Sequence, residues 1–96
     1  MEKRVDEKPG IDILVDEETG IDVISRVILY NDDWHTFDEV ITQLIKATSC
    51  NYETARGFAF EVHVKGKSIV FNGSMKDCLK VSSVLEEIAL NTQIIT

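Results

Sequence analysis

Hydrophobic positions along this chain change their spacing several times, and each change marks a predicted element. Residues 26–30 (Arg-Val-Ile-Leu-Tyr) are rich in β-branched and aromatic side chains and precede the turn-forming residues 31–33, which predicts a strand. Thr36 and Glu39 have the spacing of a capping box, which predicts the start of a helix. Helical spacing of apolar residues follows, at Phe37, Val40, Ile41, Leu44 and Ile45. The pattern predicts that this helix ends near residues 48–50.

A second helix is predicted to begin after Asn51, a residue type whose side chain caps free amide groups at helix starts. Gly57 lies inside this helix, where glycine costs up to about 1 kcal/mol relative to alanine. We therefore expect another part of the chain to pack closely against Gly57. The helix is predicted to break at residues 65–67, and its apolar face consists of Ala55, Phe58, Ala59 and Val62.

The remaining pattern predicts two strands and a third helix. Residues 68–71 form the first strand, residues 72–73 (Asn-Gly) a turn, and Ser74 with Asp77 the capped start of the helix. This helix is expected to end at residues 91–92, before a last strand at residues 93–96, and its buried stripe is Cys78, Val81, Leu85 and Ile88. The order β-α-α-β-α-β predicts an α+β sandwich, with three helices on one face of a small three-stranded antiparallel or mixed sheet.

Charge divides the chain into two parts. Residues 1–22 hold eight acidic and three basic residues, whereas residues 23–96 hold nine and seven. The first part also contains Pro9, Gly10 and Gly20 and few residues that would build a core. We therefore predict a flexible acidic arm over residues 1–22 and one globular domain over residues 23–96.

Composition excludes several classes of protein. The chain has 96 residues, which is the size of one small domain, and its net charge of −7 argues against binding to nucleic acid. Apolar runs such as Val27–Tyr30 are only four residues long, and the sequence does not begin with a signal peptide. We therefore expect a cytoplasmic protein without a membrane span. Cys50 and Cys78 are 28 positions apart and are expected to be reduced thiols.

Polar residues interrupt the apolar pattern at Asn31-Asp32-Asp33-Trp34-His35 and at Glu61-Val62-His63. The first group is compatible with a simple turn, because Asn and Asp side chains satisfy nearby backbone groups. His63 is equally compatible with a hydrogen-bonded core histidine. The spacing fits no metal-binding motif, and the chain contains no nucleophile motif or phosphate-binding glycine loop. We therefore expect neither a metal, a cofactor nor an enzymatic activity.

The two polar groups together resemble the ClpS family. The residues that carry the resemblance are Val27-Ile28-Leu29-Tyr30-Asn31-Asp32-Asp33 and, after a helix, Glu61-Val62-His63-Val64-Lys65-Gly66-Lys67. The resemblance extends from about residue 26 to residue 96. It implies the family's α+β fold, which a ribosomal-stalk domain shares. It also implies an adaptor that binds proteins by a free N-terminal Leu, Phe, Tyr or Trp (an N-degron) and delivers them to a AAA+ Clp unfoldase of the ClpA or ClpC type.

By this resemblance, three residues bind the α-ammonium group of the degron. Asn31 supplies a side-chain oxygen, Asp32 a negative charge and neutral His63 a ring nitrogen. Asp33 is expected to organise the turn or to contact the backbone of the second peptide residue. His35 occupies a position that is usually Thr in the family, so the resemblance assigns it to the binding loop without a defined contact.

The resemblance also implies an apolar pocket between the first two helices, lined by Phe37, Val40, Ala59 and Val62. Many family members have Met at the positions of Phe37 and Ala59, so a change in the shape of the pocket is expected here. Packing of Phe37 onto the core is the alternative interpretation. Lys80, on the third helix, aligns with a lysine that the family uses to dock on the unfoldase.

A second functional hypothesis is a non-catalytic interaction domain of the ribosomal-stalk type, which binds a partner protein through an exposed helix face. The pairing of Asn31 and Asp32 with His63 distinguishes the hypotheses, because only the adaptor needs it. For the adaptor we expect a monomer.

Overall fold

The computed structural model of the protein describes residues 23–96, so the predicted acidic arm lies outside the described residues. The described part contains three helices and three strands in the order β-α-α-β-α-β, which confirms the predicted fold. Their bounds are β1 Ser25–Tyr30, α1 Phe37–Thr48, α2 Tyr52–Lys65, β2 Lys67–Gly73, α3 Met75–Glu86 and β3 Asn91–Ile95.

The three strands form one antiparallel sheet with β1 at its centre, in the order β2-β1-β3. Val27 of β1 pairs with Phe71 of β2, but the next residue, Ile28, pairs with Ile69, so the register shifts at this point. This irregularity is a β-bulge, which bends one strand relative to its partner. Both strand pairs, β1 with β2 and β1 with β3, are antiparallel, so the sheet of the described residues is antiparallel rather than mixed.

The hydrophobic core lies between the sheet and the helices. Val27 and Leu29 of β1 have no solvent-exposed surface and belong to the same buried cluster as Leu44 of α1, Ala55 of α2 and Leu85 of α3. Alternate residues of a strand project to the same face, so Val27 and Leu29 define the face that the helices cover. The core thus joins the central strand to all three helices.

Each helix begins at the residue that the sequence predicts. The side chains of Thr36, Asn51 and Ser74 accept a hydrogen bond from the backbone N–H three residues later, and Thr36 forms a complete capping box with Glu39. Gly66, in the left-handed region with φ of 90°, ends α2. Ser49 ends α1 with φ of 60°, a conformation that costs a residue with a Cβ atom more than it costs glycine.

The segment from α3 to β3 differs from the prediction. Helix α3 ends at Glu86 and β3 begins at Asn91, so the helix is shorter than the apolar spacing indicates. Ala89 has φ of 65°, and its N–H donates to the carbonyl of Glu86, which turns the chain out of the helix. Ile88 follows the helix and is only partly buried.

Two smaller predictions are also wrong. The residues 72–73 continue β2, and the chain passes directly from Gly73 to the cap residue Ser74. Apart from its chain neighbours and the backbone of its own helix, no heavy atom of residues 23–96 lies within 4 Å of a Cβ built on Gly57, so no other element packs closely against this glycine. Within the described residues, no contact therefore offsets the free-energy cost of a glycine inside this helix.

The remaining features are consistent with a small helix–sheet domain. Cys78 is buried, Cys50 is partly buried, and both are free thiols. Within residues 23–96 the structure contains no helix with the length and hydropathy of a transmembrane span.

Candidate functional site

A cavity of about 460 Å³ opens where the loop after β1 meets α1 and α2. This volume is in the usual range for a small-ligand site. All nine residues predicted to bind the peptide line it, namely Asn31, Asp32, Asp33, His35, Phe37, Val40, Ala59, Val62 and His63. The structure therefore brings the predicted site residues together, and their individual roles in binding stay predictions.

Backbone hydrogen bonding explains why the two polar groups meet. The N–H of Asn31, directly after β1, donates to the carbonyl of Gly66 at 2.9 Å. Gly66 ends α2, and His63 lies in the last turn of that helix. The end of the central strand is thus joined to the end of α2, which places Asn31 and His63 in the wall of one cavity.

Asp32 organises the loop. Its Oδ1 accepts hydrogen bonds from the backbone N–H groups of Trp34 at 3.1 Å and His35 at 2.9 Å, and its Oδ2 lies 2.6 Å from Nδ1 of His35. Burial raises the pKa of this carboxyl, but the hydrogen bonds from His35 and Trp34 outweigh it, so the net pKa lies below its usual value. Asp32 thus organises the turn, and both alternatives for Asp33 stay predictions.

His35 is held on both sides of its ring. In addition to Asp32, its Nε2 lies 2.5 Å from the carbonyl oxygen of Ile88, in the turn after α3. The hydrogen bond to Asp32 raises the pKa of this imidazole, partly opposed by burial, and the Ile88 carbonyl adds to the increase. The sequence contains no signal for the Ile88 contact, because it is made by a backbone carbonyl 53 positions further along the chain.

His63 is exposed, which excludes the interpretation as a buried core histidine. His63 lines the same cavity as Asn31 and Asp32. A neutral imidazole has one nitrogen that accepts a hydrogen bond. The cavity therefore combines an amide oxygen and a carboxylate with an imidazole, whose neutral form offers one accepting nitrogen.

The other part of the cavity is apolar. Ala59 and Val62 of α2 are 3% and 4% exposed, and Val40 of α1 is half-buried, so these three residues form an inner wall. Phe37 is 37% exposed and lies outside the buried core cluster. Phe37 thus borders the cavity, and packing of its ring onto the core stays an alternative prediction.

A second cavity, of about 20 Å³, adjoins the same loop. Some of the residues that line it were not predicted from the sequence to belong to the site. Leu29, Tyr30 and Leu90 line it together with Asn31, Asp32, His35, Val40 and Val62. This volume is about that of one water molecule. Leu29 and Leu90 are buried core residues, and only the fold places them beside the site.

Charge and ligand geometry limit the chemistry of the site. No group of three or more His, Cys, Asp or Glu side chains in residues 23–96 is arranged to hold a metal ion. The polar residues of the cavity offer mainly acceptors, and the apolar residues lie directly beside them. Such a site suits a ligand that has a cationic donor next to an apolar group.

Comparison with known proteins identifies the family. Residues 24–93 match the family described as ATP-dependent Clp protease adaptor protein ClpS. The chain belongs to the ClpS family. The match covers all six elements except the end of β3, and it confirms the family that the sequence predicts. A family of adaptors agrees with the expectation that the protein is not an enzyme.

Two relatives are much larger proteins. The chain is 38% identical to the human E3 ubiquitin-protein ligase UBR2 over 58 residues, which are 60% of this chain and 3% of the ligase. It is 30% identical to the Drosophila melanogaster E3 ubiquitin-protein ligase UBR1 over 70 residues, 72% of this chain and 4% of the ligase. The ClpS-like chain thus corresponds to a small part of each ligase.

A solved structure of the same family has a similar fold. It is Agrobacterium tumefaciens ClpS2 bound to L-phenylalaninamide, with a TM-score of 0.68 and 19% sequence identity. The superposition covers 75% of this chain and 94% of the other. At this identity, the comparison establishes the fold of the ClpS domain.

Lys80, the predicted docking residue, lies on an exposed part of α3 and does not line the cavity. Met75 and Leu79 of the same helix are 44% and 54% exposed. The structure therefore separates Lys80 from the site residues, and its role in docking stays a prediction.

Proposed function

We propose that this ClpS-family protein is an adaptor that binds proteins bearing a free, large hydrophobic N-terminal residue and delivers them to a AAA+ Clp unfoldase. The observation that carries this proposal is the cavity in which Asn31, Asp32 and His63 adjoin an apolar wall. A protein N-terminus of this type has an ammonium group attached to the same carbon as its apolar side chain. One such terminus occupies both parts of the cavity at once.

The hydrogen-bonding capacity of the polar part suits an ammonium group. Oδ1 of Asp32 already accepts two backbone N–H groups, and Oδ2 accepts one from His35, which leaves one acceptor position on Oδ2. The side-chain oxygen of Asn31 and one ring nitrogen of His63 supply two more. An ammonium group has three N–H donors, so the acceptors match it in number.

The expected affinity follows from these contacts. Each hydrogen bond that involves a charged group contributes about 1.5–3 kcal/mol, and burial of a Leu or Phe side chain contributes about 1.5–3 kcal/mol. Together, such contributions support a dissociation constant in the micromolar range, which corresponds to about −8 kcal/mol. The ligand of the similar ClpS2, L-phenylalaninamide, has the same combination of a free amine and an apolar side chain.

Delivery is proposed to occur through α3. Lys80, with the exposed side chains of Met75 and Leu79 on the same helix, offers a surface that does not overlap the cavity. An adaptor needs this separation because it holds substrate and unfoldase at the same time. We propose a ClpA- or ClpC-type N-terminal domain as the partner and the cytoplasm as the place of action.

The function is tested with peptides that differ only in their first residue. Fluorescence anisotropy with C-terminally labelled peptides is expected to show binding for N-terminal Leu, Phe, Tyr or Trp and at least tenfold weaker binding for N-terminal Ala or Glu. Acetylation of the Phe peptide is expected to abolish most binding, because neutral amides replace the ammonium group. Equal affinity for the free and acetylated peptides would refute the proposed function.

Docking is tested separately. The purified unfoldase N-terminal domain is expected to bind wild type and to bind Lys80→Ala more weakly, with unchanged peptide affinity in the variant. Ser83→Ala, at an exposed α3 position, is the matched control. If Lys80→Ala and wild type bind the domain equally, Lys80 has no part in docking.

A further inference from the structure

The imidazole of His35 forms a bridge between two parts of the chain. Its Nδ1 lies 2.6 Å from Oδ2 of Asp32 in the loop after β1, and its Nε2 lies 2.5 Å from the carbonyl oxygen of Ile88 after α3. The side chains of His35 and Asp32 are only 13% and 15% exposed, so water has little access to the pair. Both contacts are short enough to be strong hydrogen bonds.

Both partners of the ring are acceptors. A backbone carbonyl has no proton to donate, and Asp32 accepts two backbone N–H groups as an ionised carboxylate does. A neutral imidazole has a single N–H and would leave one of the two contacts without a proton. With Asp32 ionised, both contacts are hydrogen bonds only when each ring nitrogen carries a proton. The lowered pKa of Asp32 and the raised pKa of His35 agree that the shared proton resides on the imidazole.

The bridge adds a second anchor to the loop of the site. The first anchor is the hydrogen bond from Asn31 to the carbonyl of Gly66 at the end of α2. Through His35, the same loop is also tied to the segment that leads from α3 into β3. Asp32 lies between these anchors, and its carboxylate rotamer is fixed by bonds to both of its oxygens.

We propose that doubly protonated His35 is a positioning residue for degron binding: by joining Asp32 to the Ile88 carbonyl, it holds the Asp32 carboxylate in the orientation that receives the peptide ammonium. This role rests on the proposed function, because it concerns the same site. His35 itself offers no acceptor while both nitrogens are protonated, so it does not bind the ammonium directly.

The groups around the ring determine the pH at which the bridge opens. Asp32 in the loop and Glu39 in the first turn of α1 both favour the cationic ring, as does the Ile88 carbonyl from the segment after α3. From α2, His63 lines the same cavity. When the pH rises above the raised pKa of His35, the ring keeps one proton and one of the two hydrogen bonds is lost.

The protonation state is tested in the free protein. Nitrogen-15 NMR of the His35 ring, assigned by comparison with His35→Gln, is expected to show two protonated nitrogens in most molecules at pH 6.5, where an unperturbed histidine is about half neutral. Asp32→Asn is expected to shift the titration of the ring to lower pH. A ring that is mainly neutral at pH 6.5 would overturn the inference.

The positioning role is tested by a ratio of affinities. Gln at position 35 donates to one acceptor but cannot bridge two, so His35→Gln is expected to bind a Phe-initiated peptide about fivefold to thirtyfold more weakly at pH 6. The ratio of variant to wild-type dissociation constants is expected to approach one as the pH rises above the raised pKa of His35, where wild type also loses the bridge. Titration of the peptide amine affects both proteins and cancels in the ratio.

The possible results separate this inference from the proposed function. A ratio that stays constant from pH 6 to a pH at which NMR shows a neutral His35 ring would show a general structural effect and overturn the positioning role. Normal peptide binding by wild type with a neutral His35 ring would overturn only the inference. Failure of wild type to bind the Phe peptide at any pH would overturn the proposed function and the positioning role with it.

Discussion

Replacement of Asp32 by Asn separates the two tasks that this residue performs, organisation of the loop and provision of negative charge. The amide oxygen of Asn can still accept from the backbone N–H groups of Trp34 and His35, as Oδ1 of Asp32 does at 3.1 and 2.9 Å. Its NH₂ group can donate to Nδ1 of a neutral His35, whose remaining N–H then donates to Ile88. Every hydrogen bond within the loop thus has an equivalent in Asp32→Asn, and the fold is expected to persist.

Peptide binding is expected to respond much more strongly than stability. In Asp32→Asn the position of Oδ2 carries a donor, so the ammonium group loses one charge-assisted hydrogen bond worth about 1.5–3 kcal/mol. At 1.4 kcal/mol per factor of ten, this loss corresponds to an affinity about 10–150 times lower. The free energy of unfolding is expected to change by less than about 1 kcal/mol, because no buried group is left without a partner.

The assay compares Asp32→Asn with Asp38→Asn, which has the same change of charge at an exposed position of α1 outside the cavity. Fluorescence anisotropy with a Phe-initiated peptide gives the affinities, and urea denaturation gives the free energies of unfolding. Asp38→Asn is expected to bind within threefold of wild type. If the affinity of Asp32→Asn is also within threefold of wild type, Oδ2 of Asp32 does not accept a hydrogen bond from the ammonium group, and this assignment is wrong.

Three further predictions concern stability. Gly57→Ala is expected to raise the free energy of unfolding by about 0.5–1 kcal/mol, because the added methyl group meets open space and alanine is a better helix former than glycine. A lower free energy of unfolding, measured by urea denaturation, would contradict this. Ala89→Gly is expected to raise it by about 0.5–1 kcal/mol by relieving φ of 65°, whereas an unchanged melting temperature would show that this turn holds no strain. The third prediction is that the free energy of unfolding depends on pH. The pKa of His35 is raised above about 6.5, so the contribution of His35 to stability is complete below pH 6.5 and is lost as the pH rises through the raised value. The pKa of Asp32 is lowered from about 3.8, so its contribution to the free energy of unfolding is present above that pH and is lost as the pH falls through the lowered value. Urea unfolding at several pH values should show both losses of stability. His35→Gln should remove the loss at alkaline pH.

Local sequence determined most of the elements. Thr36, Asn51 and Ser74 cap the helices where their residue types predict, because a cap depends on a side chain and a backbone N–H only three residues apart. The strand at Ser25–Tyr30 was equally predictable from β-branched residues followed by turn formers. The candidate site followed from the same stretch of sequence only in combination with His63, through the resemblance to ClpS.

Tertiary structure decided the remainder. Helix α3 ends at Glu86 because Ala89 adopts a left-handed conformation, which the sequence does not signal at an alanine. The contact between His35 and Ile88 joins a side chain to a backbone carbonyl, and every residue has such a carbonyl, so no residue type marks it. Periodicity shows which side chains face the core, but only packing of the complete chain shows which backbone groups meet a polar side chain.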